Sequence, residues 1–319
     1  MLIIQRESTD PFFNIATEEF LVKTLEEPCF MLWQNTPSVI MGKHQNPLKE
    51  VNIAFLNQKQ IPIIRRISGG GTVYHDLGNL NYSFIDMGKA DSLVNFAKYS
   101  QPILDLLQSL EVDAKLVGKS DLKINDRKFS GNASHVYRNK VLHHGTLLFN
   151  SNLKVLNESI KINKNNITDK AVNSNRSVVG NISDYLSTPM TISDFKSKLF
   201  QHIQNIFPEA KVTNLNKTQI SEIQRLADEK YKTWEWNFGY GPKYTIKSNY
   251  KIQDKDSDFQ IVIAKGFIKS ITCSSPLNSI WEEAINSMIG LQHQEEIIKQ
   301  HLYDNGLGHV KNSILEVLF

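Results

Sequence analysis

The chain has 319 residues, 40% of them hydrophobic and 22% charged, with a formal net charge of +3 and a pI near 8.6. That is apolar material for an ample core and length for two domains, while so mild a basicity, without arginine–aromatic interleaving, disfavours a nucleic-acid partner and leaves only a weak preference for acidic proteins. No apolar run exceeds residues 29–33, far short of the ~18 residues of a membrane span; Met1 to Glu7 lack a signal-peptide pattern, and two lone cysteines, Cys29 and Cys273, suit a reducing cytoplasm.

Asn14 is read as the cap of a first helix in which Phe13, Ala16 and Phe20 share a face. Strands follow at residues 30–33 and 38–41, then a helix near 52–60 and strands at 61–64 and 72–74. Between these last two stands Arg65-Arg66-Ile67-Ser68-Gly69-Gly70-Gly71. Consecutive glycines carry no Cβ, so their N–H groups can turn inward around an anion while the arginines add permanent charge. A flexible hairpin tip is the plainer reading of a glycine triplet, but Tyr74-His75-Asp76-Leu77-Gly78-Asn79 crowds donors, acceptors and a second turn beside it. Two familiar nucleotide loops are excluded by counting: Gly118-Lys119-Ser120 lacks the first Walker A glycine, because position 113 is Asp113, and a G-x-G-x-x-G frame from Gly69 meets Tyr74.

Phe96, Tyr99, Ile103, Leu107 and Leu110 mark an amphipathic helix. Leu122 and Ile124 alternate with polar residues up to Asn125-Asp126, and Phe129 resumes the pattern, which is a hairpin with Lys128 on its return strand. A strand-mounted lysine beside a phosphate cradle is held as a catalytic cation must be; equally, edge strands carry lysines against aggregation. Val141 to Phe149 is an apolar strand interrupted by His143, His144, Gly145 and Thr146, in which histidines that bond a substrate or fill the core are favoured over metal ligands, since no H-x-x-x-H or H-E-x-x-H spacing exists. Residues 150–183 are rich in Asn, Lys and Ser; Thr191 with Asp194 opens a helix carrying Ile192, Phe195 and Leu199. After Gly239 the polar run 251–258 reads as a domain boundary, followed by a hairpin over 259–268 and a helix through Trp281, Ala284, Ile285 and Met288. The expected fold class is α+β: a mixed, largely antiparallel sheet flanked by helices (residues 1–250), with a small C-terminal α/β accessory domain (251–319).

Three ordered motifs, residues 65–79, Asp126-Arg127-Lys128-Phe129-Ser130-Gly131-Asn132-Ala133 and His143-His144-Gly145-Thr146-Leu147-Leu148, resemble those of the lipoate-protein ligases. Gly42-Lys43-His44-Gln45-Asn46, residues 175–182 and Trp234-Glu235-Trp236-Asn237-Phe238-Gly239 support the likeness, which covers about three quarters of the chain. The resemblance implies a biotin/lipoate ligase-like catalytic domain, ATP and Mg2+ as cofactors, and free lipoate as substrate, activated to lipoyl-AMP and passed to a lysine of a carrier. The implied partners are lipoyl domains of 2-oxoacid dehydrogenase acyltransferase subunits and the glycine cleavage H protein, met by a monomer. Implied ATP ligands are Arg66, Gly71, Thr72, Val73, Tyr74 and Lys128; implied lipoate ligands are Lys128, Ser68, Gly70, His75 and His144, with Lys128 catalytic. Asp76, Asn79, Lys170 and Arg176 are expected to line the site, residues 173–181 to order over the adenylate, and Asp121 to hold Mg2+ or serve as a turn acceptor. Related acyl transferases work without ATP through a reactive thiol, which neither Cys29 nor Cys273 supplies within the motifs, and biotin ligases carry a Gly-Arg-Gly-Arg loop absent here. A protein that only binds the adenylate is the third reading.

Overall fold

A computed structural model describes residues 1–88, 94–160, 166–175, 177–252 and 254–319. Its elements begin β1 (Leu2–Ile4), α1 (Pro11–Thr24), β2 (Cys29–Trp33), β3 (Ser38–Met41), α2 (Pro47–Glu50), α3 (Ile53–Gln58), β4 (Ile63–Arg65), β5 (Val73–His75), β6 (Asn79–Met87) and α4 (Phe96–Ser109). They continue with β7 (Ala114–Val117), β8 (Asp121–Ile124), β9 (Arg127–Tyr137), β10 (Lys140–Leu148), α5 (Leu153–Ser159), β11 (Ile167–Asp169), α6 (Ile192–Ile206), β12 (Lys211–Thr213) and α7 (Lys217–Leu226). Last come β13 (Tyr244–Ile252), β14 (Lys255–Ala264), β15 (Phe267–Cys273), α8 (Ser279–Ser287), α9 (Glu295–Asp304) and α10 (Lys311–Leu318). They pack as two units, one of Met1–Lys43, Glu50–Lys161 and Ser174–Thr233, the other of His44–Lys49, Ile162–Asn173 and Trp234–Phe319.

The first unit is built on an eight-stranded sheet in the order β12-β1-β2-β6-β10-β9-β8-β7. Only β1 pairs in parallel, with β12 and β2; the rest is antiparallel, as the mixed α+β reading requires. Because side chains alternate along a strand, Leu80, Tyr82 and Phe84 of β6 join one face, where they meet Ile103 and Leu107 of α4 and Phe195, Leu199 and Ile203 of α6 in the main core. Asn79, Asn81 and Ser83 point to the other face, with Trp33 and Met31 of β2 and Thr146 and His144 of β10 opposite them in register. Those polar positions are buried too, and their face carries the site. A second sheet of three short strands, β4-β3-β5, holds the glycine-rich turn.

Local signals explain most boundaries. Thr191 and Asp194 form a reciprocal capping box on α6, and Asn52 caps α3 through Phe55 N–H at 3.2 Å. The first helix departs from expectation: Asp10 is its cap, accepting from Phe12 N–H at 2.9 Å with Pro11 following. Asn14 lies inside the first turn and donates to the carbonyls of Ser8 (2.9 Å) and Gln34 (2.8 Å), because Asp-Pro satisfies both cap and N1 preferences four residues earlier.

In the second unit β11-β13-β14-β15 form an antiparallel sheet. The run 251–258 is not a crossing between domains but the end of the β13–β14 hairpin, with Ile252 opposite Lys255 and Asp254 at φ 61°. Its polarity is that of an exposed hairpin tip. Lys265 (φ 53°) and Gly266 (φ 77°) make the next turn, of the two-residue type that needs positive φ at both positions. Trp234 closes over it: a Cβ on Gly266 would stand 2.9 Å from Trp234 Cζ3, and the indole meets Phe267 edge-on at 5.8 Å.

Candidate functional site

The turn from β4 to β5 is shaped from beneath by two buried arginines. Arg65 Nη1 donates to the carbonyls of Lys43 (2.9 Å) and Gly42 (3.3 Å). Arg66 donates from Nη1 to Ile40 O (3.1 Å), from Nη2 to Gly69 O (2.6 Å) and Gly71 O (2.8 Å), and from Nε to Ser68 Oγ (2.8 Å). A trans peptide sets its N–H opposite its C=O, so drawing the oxygens of Gly69 and Gly71 onto the guanidinium turns the N–H groups of Gly70 and Thr72 the other way. Gly70 has φ 86°, open to glycine without strain. Burial brings the Arg66 pKa down to about 10, with Glu18 opposing, so the guanidinium remains charged at neutral pH. Expected as an ATP ligand, Arg66 aims these donors at its own turn. Thr72 N–H meets Ser174 Oγ at 2.9 Å, and that serine also donates to the buried Glu50 carboxylate.

Ser68 leads into a buried chain of hydrogen bonds. Its Oγ lies 2.7 Å from His144 Nε2; His144 Nδ1 lies 2.9 Å from both oxygens of Glu18; Ser83 Oγ donates to Glu18 Oε1 at 2.6 Å, and Trp33 Nε1 donates to Ser83 at 2.9 Å. Glu18 escaped the sequence reading, although a carboxylate in the stripe Ile15, Glu18, Val22 of an apolar helix face is the kind of buried charge that asks for a partner. His143, one residue from His144, falls on the opposite sheet face among Phe96, Tyr99 and Tyr82, so the two histidines separate into core and site by strand alternation.

His75 Nδ1 accepts from Asn35 Nδ2 at 3.0 Å, leaving Nε2 buried without a protein partner among the described residues. Burial first, then Arg66 and His144, depress its pKa to about 3. Asn79 donates to Asn81 Oδ1 at 2.9 Å, which leaves Asn79 Oδ1 and Asn81 Nδ2 in the same condition. Buried polar atoms want partners, so this face has valences for a polar guest or ordered water. Asp76 is occupied structurally, accepting from the N–H groups of Gly78 (2.9 Å) and Asn152 (2.8 Å). Val73 pairs with Ile40 across β3, and Tyr74 is buried, its phenol pushed up to about 12 by burial and Asp76.

Lys128 reaches the same face through a β-bulge. It stands three positions before Gly131, an odd offset that on a regular strand would place them on opposite faces. The β8–β9 register slips, however, so that Lys123 pairs with Lys128 but Leu122 with Ser130, and the extra residue re-aims the lysine. Its ammonium then lies beside Gly131, 3.3 Å from where a Cβ would be, and pairs with Asp121 Oδ1 at 2.9 Å. Gly131 N–H donates to Thr146 Oγ1 at 3.1 Å, and a Cβ on Gly70 would stand 3.7 Å from Ala133 Cβ. The glycine turn, the Lys128 strand and the histidine strand thus converge. Lys128 also clamps residues 178–180, its N–H donating to Val178 O (2.9 Å) and its carbonyl accepting from Gly180 N–H (3.1 Å). Lys170 is exposed within the second unit, and Arg176 lies outside the described residues. Among the described residues no cluster of three or more His, Cys, Asp or Glu could hold a metal, and no helix is long and apolar enough to cross a membrane. Cys29 is buried, and burial pushes its thiol up to about 12, the reverse of a reactive cysteine.

Fold and site together define an α+β protein in which a glycine turn, a strand-mounted lysine and a histidine-bearing strand meet on one face of the main sheet. A family model, the lipoyl protein ligase A/B catalytic domain, matches residues 10–204, and the chain belongs to that family. It is 36% identical over 307 residues to lipoate-protein ligase 1 of Staphylococcus aureus (94% of this chain, 93% of that protein) and 35% identical over 324 residues to lipoate-protein ligase LplJ of Bacillus subtilis (98% and 97%). Among solved structures, Plasmodium falciparum LipL1 in complex with lipoate superposes with a TM-score of 0.66 at 24% identity, over 99% of both chains. Lipoate-protein ligase A bound with ATP gives 0.64 at 23% (75% of this chain, 98% of that one), and the bipartite ligase studied with its E2 lipoyl domain from Thermoplasma acidophilum gives 0.65 at 23% (75% and 96%). At these identities the structures share the fold.

Proposed function

We propose that this protein activates lipoate with ATP, releasing pyrophosphate, and transfers the lipoyl group from lipoyl-AMP to the ε-amine of a lysine on a lipoyl carrier domain. The observation that carries the reading is the convergence of Lys128, set beside Gly131 by a bulge, with the Arg66-braced glycine turn and the Ser68–His144 pair. Its support beyond geometry is the naming of relatives that match nearly the whole chain as lipoate-protein ligases.

A carboxylate attacks a polyphosphate poorly because both are anions, so the site must neutralise charge and fix the attacking oxygen in line. Lys128 supplies a cation between carboxylate and α-phosphate, and the outward Gly70 N–H of the glycine turn receives a phosphate oxygen; Arg66 serves ATP through the turn it shapes. Mg2+, when bound, neutralises phosphate charge, and Asp121, about a quarter exposed, is a suitable carboxylate beside phosphate oxygens. In the second half-reaction the same ammonium steadies the departing AMP while the carrier amine attacks the anhydride. Residues 173–181, already tied to Thr72 and Lys128, close over the adenylate, and the C-terminal unit serves as the accessory domain. Acyltransferase lipoyl domains and the glycine cleavage H protein are the carriers this reading expects, in the cytoplasm, where the free Cys29 and Cys273 stay reduced.

Incubation with ATP, Mg2+, lipoate and an apo lipoyl domain, followed by weighing the domain, tests it. Gain of one lipoyl mass that needs ATP is the expected result. Transfer from an acylated donor without ATP would establish a transferase, and an unmodified carrier under every condition a binder.

A further inference from the structure

The surface that meets the glycine turn continues outward along β9. Ala133, beside Gly70, is followed at every second position by His135 and Tyr137, so these three share a face that extends about 13 Å from Ala133. Cations gather along it, all within the first unit. Lys43 stands at the turn, its N–H donating to Ser68 O at 2.8 Å. Lys23 on α1 and Lys230 on the π-helical turn Ala227–Tyr231 each place Nζ 2.6 Å from an oxygen of Glu19, a buried carboxylate that Tyr231 also donates to. At the outer end Lys23 (6.0 Å) and Arg138 (5.3 Å) lie over the ring of Tyr137.

We propose that Lys43, Lys230, Lys23 and Arg138 form a docking strip for the carrier, and that the carrier meets it with carboxylates set around its acceptor lysine. The inference rests on the ligase reading above and adds how that partner is recognised.

Four cations along the strip face one carboxylate, Glu19, and the acidic Glu26 just beyond α1 is taken up by Lys140 at 3.1 Å. The cations act on one another. Burial first, with Lys43, His144 and Lys230 adding to it and Glu19 opposing, holds His135 below the ordinary histidine range, so the ring between them brings no charge at neutral pH. Lys230 is likewise held below the usual lysine range, by burial first against the pull of Glu19, with Lys23 and Lys43 adding to burial. Positive charge in excess draws an anionic partner and steers its approach. It also suits the transfer step: an amine attacks only when neutral, and neighbouring cations favour that form, while a bare lysine side chain would be repelled unless carboxylates of its own domain drew it in. ATP is the competing anion. Lys43 stands where a nucleotide at the turn would feel it, whereas Lys23 and Arg138 flank Tyr137 at the far end, where a macromolecule whose lysine reaches the turn would rest.

The outer end therefore carries the test. Arg138 has φ 56°, a conformation that aspartate tolerates, and Glu19 keeps Lys230 and Tyr231 when Lys23 is replaced. The double variant Lys23→Gln/Arg138→Asp is compared with the parent and with Lys23→Arg/Arg138→Lys. Lipoylation of an acidic apo lipoyl domain gives the carrier KM, and carrier-free, lipoate-dependent exchange of labelled pyrophosphate into ATP gives the activation step. Expected in the charge-removing variant is a carrier KM raised about tenfold at low salt, narrowing to less than about threefold at about 0.3 M salt as screening sets in, with exchange within about twofold of the parent and the parental carrier KM kept by the charge-preserving variant. A carrier KM within about twofold of the parent at low salt, in a double variant shown folded by circular dichroism, overturns the docking strip and leaves the ligase reading intact. A raised ATP KM in exchange assigns these cations to the nucleotide and overturns it too. A parent that lipoylates no carrier overturns the ligase reading itself.

Discussion

Gly42→Ala offers a sharp perturbation of the glycine turn from its rear, pushing on Gly69 and Gly70 without altering the chemistry of any side chain expected to meet substrate. A Cβ at residue 42 would stand 3.0 Å from the Gly70 carbonyl carbon and 3.2 Å from that of Gly69, and nearer still to the Gly70 oxygen. Comfortable carbon–carbon separation is about 3.5–4.0 Å, so the turn must retreat by on the order of 1 Å. Backbone is what stands in the way, and Arg66 holds it through Gly69 and Gly71, so no side chain can swing aside. Overpacking of this kind costs roughly 1–3 kcal/mol of stability, tolerable for a domain with so large a core, whereas a 1 Å misplacement of reacting groups costs about 100-fold in rate. Pyrophosphate exchange should therefore fall about 100-fold in kcat/KM for ATP while urea unfolding moves by no more than about 3 kcal/mol. Exchange within threefold of the parent, in a folded variant, would refute the claim that the turn's placement controls activation.

Asp121→Asn removes the ion-pair partner of Lys128 where both side chains are about a quarter exposed (21% and 26%); stability should change by under about 1 kcal/mol, yet exchange should fall at least tenfold and require more Mg2+, which a titration of the metal will check. Buried His75 and His143 are both held down near pKa 3, chiefly by burial, so the unfolded chain binds more protons from about pH 6.5 down to that value and stability falls as pH falls through this window. Two such groups cost roughly 2–3 kcal/mol between pH 7.5 and 5.5; urea titrations should show it, His143→Phe should lose about half the slope, and a flat profile would contradict the burial of neutral rings. Iodoacetamide should leave Cys29 unmodified in the folded protein and label it after denaturation, as read by peptide mass; rapid labelling of folded protein would revive the thiol-transfer alternative.

Where local chemistry alone decides, the chain is readable from its residues. The Thr191–Asp194 box, the Asn125 turn at φ 52° and the α4 stripe all stand where spacing put them. Elsewhere local signals compete or the deciding contact is distant. Asp10-Pro11 outweighs Asn14 as a cap, and the polar hairpin tip at 251–258 has the composition of a linker. The bulge that brings Lys128 beside Gly131 depends on register against β8, which alternation within one strand does not reveal. Arg66 has the look of a phosphate ligand because cations beside glycines often are; only the folded turn shows its donors directed at carbonyls. Glu18 stayed hidden because its partner His144 lies 126 residues away.

Removal of the Lys128 ammonium tests the placement of the reacting groups most directly. Lys128→Ala, with its backbone clamp on Val178 and Gly180 unaltered, should fold normally and lose lipoate-dependent exchange of pyrophosphate into ATP by at least 1000-fold, about 4 kcal/mol of transition-state stabilisation. Exchange at the parental rate would mean that the cation between carboxylate and α-phosphate is some other residue.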